Sequence, residues 1–133
     1  MSDTYKECLM QYCGKEPLPP CKMVLECEIE SNAPDEDGGI ESTYFFSLGD
    51  TEIGSISIYE EKNTVNIFGV YLEPDFRGRG YSREMMYSVL EDIVPGGRRI
   101  ILQVADNNKP AFSLYTGCGF EVIDYVEVNT TQD

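Results

Sequence analysis

Val70-Tyr71-Leu72-Glu73-Pro74-Asp75-Phe76-Arg77-Gly78-Arg79-Gly80-Tyr81-Ser82-Arg83-Glu84-Met85-Met86 is the stretch that decides how this chain folds. Val65 to Leu72 is apolar and β-branched, which suits a buried strand. Pro74 has no N–H to give a ladder, so the strand stops before it. Arg77 to Ser82 packs two glycines and two arginines into a tight turn. From Arg83 on, apolar residues recur at Met86, Val89, Leu90 and Ile93, the spacing of one helix face. The order is strand, glycine-arginine loop, helix. At a helix N-terminus the first backbone N–H groups lack intrahelical partners and the dipole is positive, so the loop predicts an anion site. Gly78 and Gly80 let the backbone turn tightly and approach a ligand closely. Arg77 and Arg79 add positive charge to an acidic chain.

Two common phosphate loops fail against this stretch. The nucleotide loop ending Gly-Lys-Ser/Thr is absent, since no lysine lies between Lys62 and Lys109. The dinucleotide fingerprint G-x-G-x-x-G has Arg83 at its third glycine, and the loop comes past the middle of the chain rather than in a first βαβ unit. Arg77-Gly78-Arg79-Gly80-Tyr81-Ser82 instead resembles the Arg/Gln-x-x-Gly-x-Gly/Ala loop of the GNAT superfamily of N-acetyltransferases. Asn108 to Phe120 resembles that family's later motif, Asn-x-x-Ala-x-x-x-Tyr-x-x-x-Gly-Phe, through Asn108, Ala111, Tyr115, Gly119 and Phe120. The resemblance covers residues 43 to 128. Ser82 departs from it, standing where the family usually has Gly or Ala; it is small, and its hydroxyl could donate to a phosphate.

Working outward, residues 1–21 carry Tyr5, Leu9, Met10 and Tyr12, which suggests an optional short helix ended by Gly14 and Pro17. In Lys22 to Glu30, Leu25, Cys27 and Ile29 alternate with Glu26, Glu28 and Glu30, a strand with one wet face. Ser31 to Glu41 is an acidic, Gly- and Pro-bearing loop. Strands follow at Thr43–Leu48 and Glu52–Tyr59, joined by the tight-turn pair Gly49-Asp50. Glu60 to Asn63 turns into the strand before the loop, so residues 43–72 read as a three-stranded antiparallel meander. Pro95-Gly96-Gly97 ends the helix. Arg99 to Val104 is a strand, Asp106-Asn107-Asn108 caps a helix running to about Gly117, and Phe120 to Val128 is a last strand. The tail from Asn129 to Asp133 is polar and reads as frayed.

The expected order is therefore β-β-β-β-α-β-α-β in one domain over residues 1–133. It fits the α+β (mixed α/β) fold that the resemblance implies, a largely antiparallel mixed sheet flanked by helices, with a shortened N-terminal half. The family places two helices between its first two strands, and they help build the acceptor site. Here only Ser31 to Glu41 separates them. Either Lys22–Glu30 is not the equivalent first strand, or the acceptor side is cut down.

The length of 133 residues suits one compact domain, and 41% hydrophobic residues support a packed core. No run is long or apolar enough to span a membrane, and Met1 to Gln11 does not resemble a secretory signal; a cytoplasmic protein is expected. The five cysteines (Cys8, Cys13, Cys21, Cys27, Cys118) are odd in number, form no C-x-x-C, and have no histidine beside them, so reduced thiols are expected and neither disulfides nor a metal site. The missing histidine also removes Ser-His and Cys-His nucleophile schemes. Net charge is −14. Residues 1–66 hold 14 acids against 4 bases, and residues 67–133 hold 10 against 6. Such a field disfavours nucleic acid and favours a cationic partner.

The resemblance implies acetyl-CoA as cofactor and transfer of its acetyl group to a primary amine. It puts the pyrophosphate on Arg77, Gly78, Arg79, Gly80, Tyr81, Ser82 and Arg83, and the pantetheine arm along backbone groups of Val70, Tyr71 and Leu72, much as an added strand would lie. It assigns Asn108 to the cofactor and Tyr115 to protonating the leaving thiolate, and puts a backbone N–H near Val70 against the oxyanion. The strand before the loop splays from the next one in this family; Gly69 is either the bulge that starts the splay or a place of close packing. The general base is left open: with no histidine it is a carboxylate, a tyrosine or a water chain, and Glu60, Glu61 and Glu73 lie near the strand ends with nothing in the sequence to separate them. Direct attack is expected, because no activated nucleophile is evident and Cys118 sits at a packed helix end. The acceptor would be a small molecule or a peptide, cationic in view of Glu26 to Glu41. An exposed edge at the last strand would let two chains pair as a homodimer. The other reading is a non-catalytic acyl-CoA-binding sensor or interaction module.

Overall fold

A computed structural model describes residues 4–14, Leu18 and residues 25–129 of the chain. Among the described residues the elements run β1 Thr4–Tyr12, β2 Glu26–Ser31, β3 Ile40–Leu48, β4 Thr51–Glu60, β5 Thr64–Leu72, α1 Tyr81–Ile93, β6 Arg99–Ala105, α2 Lys109–Gly117 and β7 Phe120–Asn129. The strands make one sheet in the order β2-β3-β4-β5-β6-β1-β7. β5 and β6 pair in parallel; the other neighbours are antiparallel. This is the mixed, largely antiparallel α+β architecture expected. None of the described helices is long and apolar enough to cross a membrane.

The chain departs from expectation at its start. Thr4–Tyr12 is a strand, not a short helix. Tyr5, Leu9 and Tyr12 have helical spacing, but Cys8 and Met10 also alternate, and both are buried. The strand lies between β6 and β7, hydrogen-bonded on both sides, with Cys8 opposite Val104 and Tyr125. Two ladders outweigh a weak local preference. Lys22–Glu30 is therefore not the first strand. Its residues before Leu25, with Pro17, Cys21 and the tail 130–133, lie outside the described residues. β2 itself is an edge strand whose six residues, Cys27 and Ile29 included, are all exposed.

The acidic loop after β2 has a definite conformation. Asp35 accepts backbone N–H bonds from Asp37 and Gly39, each 2.9 Å, and the Tyr59 hydroxyl donates to its other oxygen. These bonds favour the ionised form and hold the Asp35 carboxyl below the usual range, the tyrosine contributing most.

Every strand from β3 to β6 turns one row of side chains into a single core with both helices. Phe46, Ile56, Val65, Leu102 and Phe120 meet Met85, Met86, Val89 and Leu90 of α1 and Tyr115 of α2. The helices thus share one face of the sheet. The Met86, Val89, Leu90 and Ile93 stripe read from the sequence is buried as expected.

Two glycines shape the region that matters for function. On β4, Ser57 opposes Phe68 and Ser55 opposes Tyr71, so Ile56 faces two residues, Gly69 and Val70. This is a β-bulge, with Gly69 at φ +61°. Pairing of β5 with β6 stops at Ile67 opposite Leu102, and the strands part beyond it. Behind the parted strand, β4 passes very close at Gly54, where a Cβ would fall 2.3 Å from the Tyr71 carbonyl oxygen and 2.9 Å from the Met85 methyl. Gly54→Ala should therefore lower stability by about 1–3 kcal/mol, the usual cost of overpacking. An unchanged urea midpoint would show that this approach is not constrained.

Candidate functional site

The parting of β5 from β6 opens a groove on the helix face. Two adjoining clefts, about 490 and 430 Å3, make it up. They share Leu72, Gly78, Ser82, Pro110 and Leu114. At one end is the glycine-arginine loop with the start of α1; at the other is Tyr115 of α2.

The loop is built as its residues require. Pro74–Phe76 makes a single 3-10 turn that ends the strand. Gly78 and Gly80 both have positive φ, 78° and 87°. A Cβ on Gly78 would meet nothing within 4 Å, so conformation rather than crowding calls for glycine there. Gly80 is the N-cap of α1 and, having no side chain, makes no cap hydrogen bond. The first N–H groups of the helix thus face the groove with the positive end of the dipole.

The arginines differ from one another. The Arg77 Nε–H donates to the Leu72 carbonyl at 2.8 Å, and its guanidinium lies 5.8 Å from the Tyr71 ring centre. Its side chain ties the loop to the strand end. Arg83 lines the groove and leans toward the C-terminal end of α2 at Gly117. Arg79 is exposed and lines neither cleft.

All of the predicted site residues except Arg79 come together. Val70, Tyr71, Leu72, Arg77, Gly78, Ser82, Asn108 and Tyr115 line the larger cleft, and Gly80, Tyr81 and Arg83 the smaller. Asn108 is the N-cap of α2, its side chain accepting the Ala111 N–H at 3.4 Å. Tyr115 is buried, with its ring edge-on to Phe120 at 6.2 Å. Burial, and then nearby Cys118, push its phenol above the ordinary value near 10. Pro110, Ala111, Ser113 and Leu114 also line the groove and are not among the predicted residues; the i, i+3/i+4 spacing of Pro110, Ala111 and Leu114 in the same motif is the signal for them in the sequence.

The three carboxylates left open are separated by the structure. Glu60 pairs with Arg98 at 2.8 Å, at the end of β4 remote from the loop, and Glu61 follows it. Glu73 directly follows β5 and accepts a 3.4 Å bond from the Tyr71 hydroxyl. Cys8, Cys27 and Cys118 are free thiols. Burial pushes the Cys118 thiol up to about 11, against a smaller opposite pull from Arg83. It is not a ready thiolate nucleophile.

The acetyltransferase (GNAT) family model matches residues 5–120. An uncharacterised N-acetyltransferase of Methanocaldococcus jannaschii is 36% identical over 73 residues, which is 54% of this chain and 32% of that protein. The chain thus spans about a third of this curated relative. A GNAT-family structure from Novosphingobium aromaticivorans superposes with a TM-score of 0.71 at 18% identity, over 94% of this chain and 63% of its own. The structure of AAC(6')-Iy in complex with the bisubstrate analogue CoA-S-monomethyl-acetylneamine superposes at 0.57 and 18% identity, over 65% of each chain. At such identities the likeness is one of fold.

Iodoacetamide at pH 7.5 should label exposed Cys27 well before buried Cys8 and Cys118. Mapped by peptide mass spectrometry, early labelling of Cys118 would mean an accessible thiolate and would reopen a covalent route.

Proposed function

The chain belongs to the acetyltransferase (GNAT) family, and from that premise we propose that it transfers an acetyl group from acetyl-CoA to a primary amine. The observation that carries this reading is the groove, with uncapped helix N–H groups at one end and a buried tyrosine at the other. Its chemistry suits the cofactor: an anion-binding end for the pyrophosphate, and between the ends a strand edge released from β6 that can bond an amide-bearing arm. Bound there, acetyl-CoA would supply an activated acetyl group for direct attack by the amine, with no acyl-enzyme.

The chain's own groups then have distinct tasks. N–H groups of Gly78 to Arg83 hold the pyrophosphate, Arg83 and Arg79 add charge, and Arg77 keeps the loop against Leu72. The free edge at Val70 to Leu72 aligns the arm, and an N–H near Val70 donates to the oxygen that gains charge. Glu73, beside Tyr71, accepts the proton lost by the amine. Tyr115 delivers a proton to the departing thiolate; its raised pKa keeps it protonated throughout the neutral range. Binding without transfer, as in a sensor, is the competing reading.

Calorimetric titration with acetyl-CoA should show micromolar binding, weakened about tenfold or more in an Arg77→Ala/Arg79→Ala variant. Absence of binding to the unaltered chain would end the enzyme reading. Tyr115→Phe should lower turnover about 100-fold or more while binding persists. Because the acid form of Tyr115 is the active one and its pKa is raised, the alkaline loss of turnover should lie above pH 10. Full turnover in Tyr115→Phe would remove this tyrosine from the reaction.

A further inference from the structure

The released edge of β5 presents a definite set of backbone groups. The Glu73 N–H donates to the Ile53 carbonyl of β4 at 2.7 Å. Across a planar trans peptide, the C=O of one residue and the N–H of the next point opposite ways. The Leu72 carbonyl therefore points away from β4, into the groove. The Tyr71 carbonyl lies against Gly54 of β4, so the Leu72 N–H points into the groove as well. Tyr71 opposes Ser55 and turns its own N–H and C=O to β4, which sends the Val70 carbonyl the same way as that of Leu72. Pairing with β6 has already ended at Ile67. The edge thus offers one donor, the Leu72 N–H, and two acceptors, the Val70 and Leu72 carbonyls. Arg77 takes one acceptor away, since its Nε–H donates to the Leu72 carbonyl at 2.8 Å. One donor and one acceptor remain, the complement of an arm that turns one amide carbonyl and one amide N–H to the strand.

We infer that Arg77 is a positioning residue for the donor's amide-bearing arm, acting through the Leu72 carbonyl and not as a phosphate ligand. This rests on the coenzyme reading above and adds the part that one side chain plays in it. An arm laid along the edge displaces water from it. A carbonyl covered in that way with no donor is costly, and Arg77 satisfies it before the arm arrives. The same bond holds the strand end still, so less has to be ordered on binding.

The rest of the side chain agrees. Neighbouring strand residues point to opposite faces, and Leu72 is buried in the core with Met85 of α1 while Tyr71 is exposed. The Arg77 guanidinium lies 5.8 Å from the Tyr71 ring centre, drawn to that exposed ring. The start of α1 lines the smaller cleft through Tyr81, Ser82 and Arg83, whereas Arg77 lines only the larger one.

Three side chains share the geometry that the test needs. Glutamine carries an N–H at the same number of bonds from the backbone as the arginine Nε, without the charge. Methionine carries a methyl there. The full chain, unaltered and as Arg77→Gln and Arg77→Met, is titrated with CoA and with pantetheine, which has the same two amides and no phosphate. Kd and the Leu72 amide are followed in 1H–15N spectra, which also report folding. Pantetheine should move the Leu72 amide. Arg77→Met should weaken pantetheine and CoA alike, about tenfold, and Arg77→Gln should stay within about threefold of the unaltered chain for both. Weakening of CoA but not pantetheine in Arg77→Met would mark a phosphate ligand and overturn the inference. So would a tenfold loss of CoA affinity in Arg77→Gln, a result that decides even if Arg77→Met does not fold. Pantetheine that leaves the Leu72 amide unmoved, while CoA binds, would overturn it too and leave the coenzyme reading standing. CoA that fails to bind the unaltered chain would overturn the coenzyme reading itself, and the inference with it.

Discussion

The structure depends on one backbone irregularity, the extra residue in β5 at Gly69. Up to Ile67 the strand is an ordinary parallel neighbour of β6. Beyond the bulge it stays with β4 but leaves β6. Backbone N–H and C=O groups on the released edge would be costly if dry and unpaired. The groove beside them admits water or a ligand with amide groups of its own. One of these carbonyls, that of Leu72, is instead taken by the Arg77 guanidinium. The same side chain therefore fixes the strand end and the loop that follows, so strand edge and helix N-terminus keep a set relation to each other.

Tight packing behind the groove makes that relation stiff. Gly54 lets β4 pass against Tyr71 and Leu72 with no side chain between. Leu72 and Met85 are both buried, so the end of the strand and the first turns of α1 share one core. Glycine thus serves two opposite ends on neighbouring strands. At Gly69 it supplies a backbone conformation, and at Gly54 it supplies room.

Charge is arranged in layers across the sheet. The helix side of the bulge carries Arg77, Arg79, Arg83 and the positive end of α1. The far edge on the other face carries Glu26, Glu28 and Glu30. The overall charge of −14 conceals this division, since three of the six basic residues of the second half, Arg77, Arg79 and Arg83, stand at one loop.

Much of this was legible in the chain alone. Pro74, the paired glycines and the Met86 to Ile93 stripe determine strand, loop and helix, because each acts through local backbone geometry or a one-face period. The Asn108 to Phe120 motif likewise determined α2 and its tyrosine. What the sequence could not carry was which segments meet. Thr4–Tyr12 has a pattern that suits helix or strand, and only the open ladders of β6 and β7 decide it. Glu60, Glu61 and Glu73 look alike in sequence, yet the direction of β4 and β5 puts two at the far end and one beside the groove. Arg77 is one more loop arginine in the sequence, and only the fold brings its Nε–H to the Leu72 carbonyl. Local periodicity and turn chemistry are properties of neighbours in the chain, whereas pairing, partner and distance depend on residues as much as a hundred positions apart, brought together only by the fold.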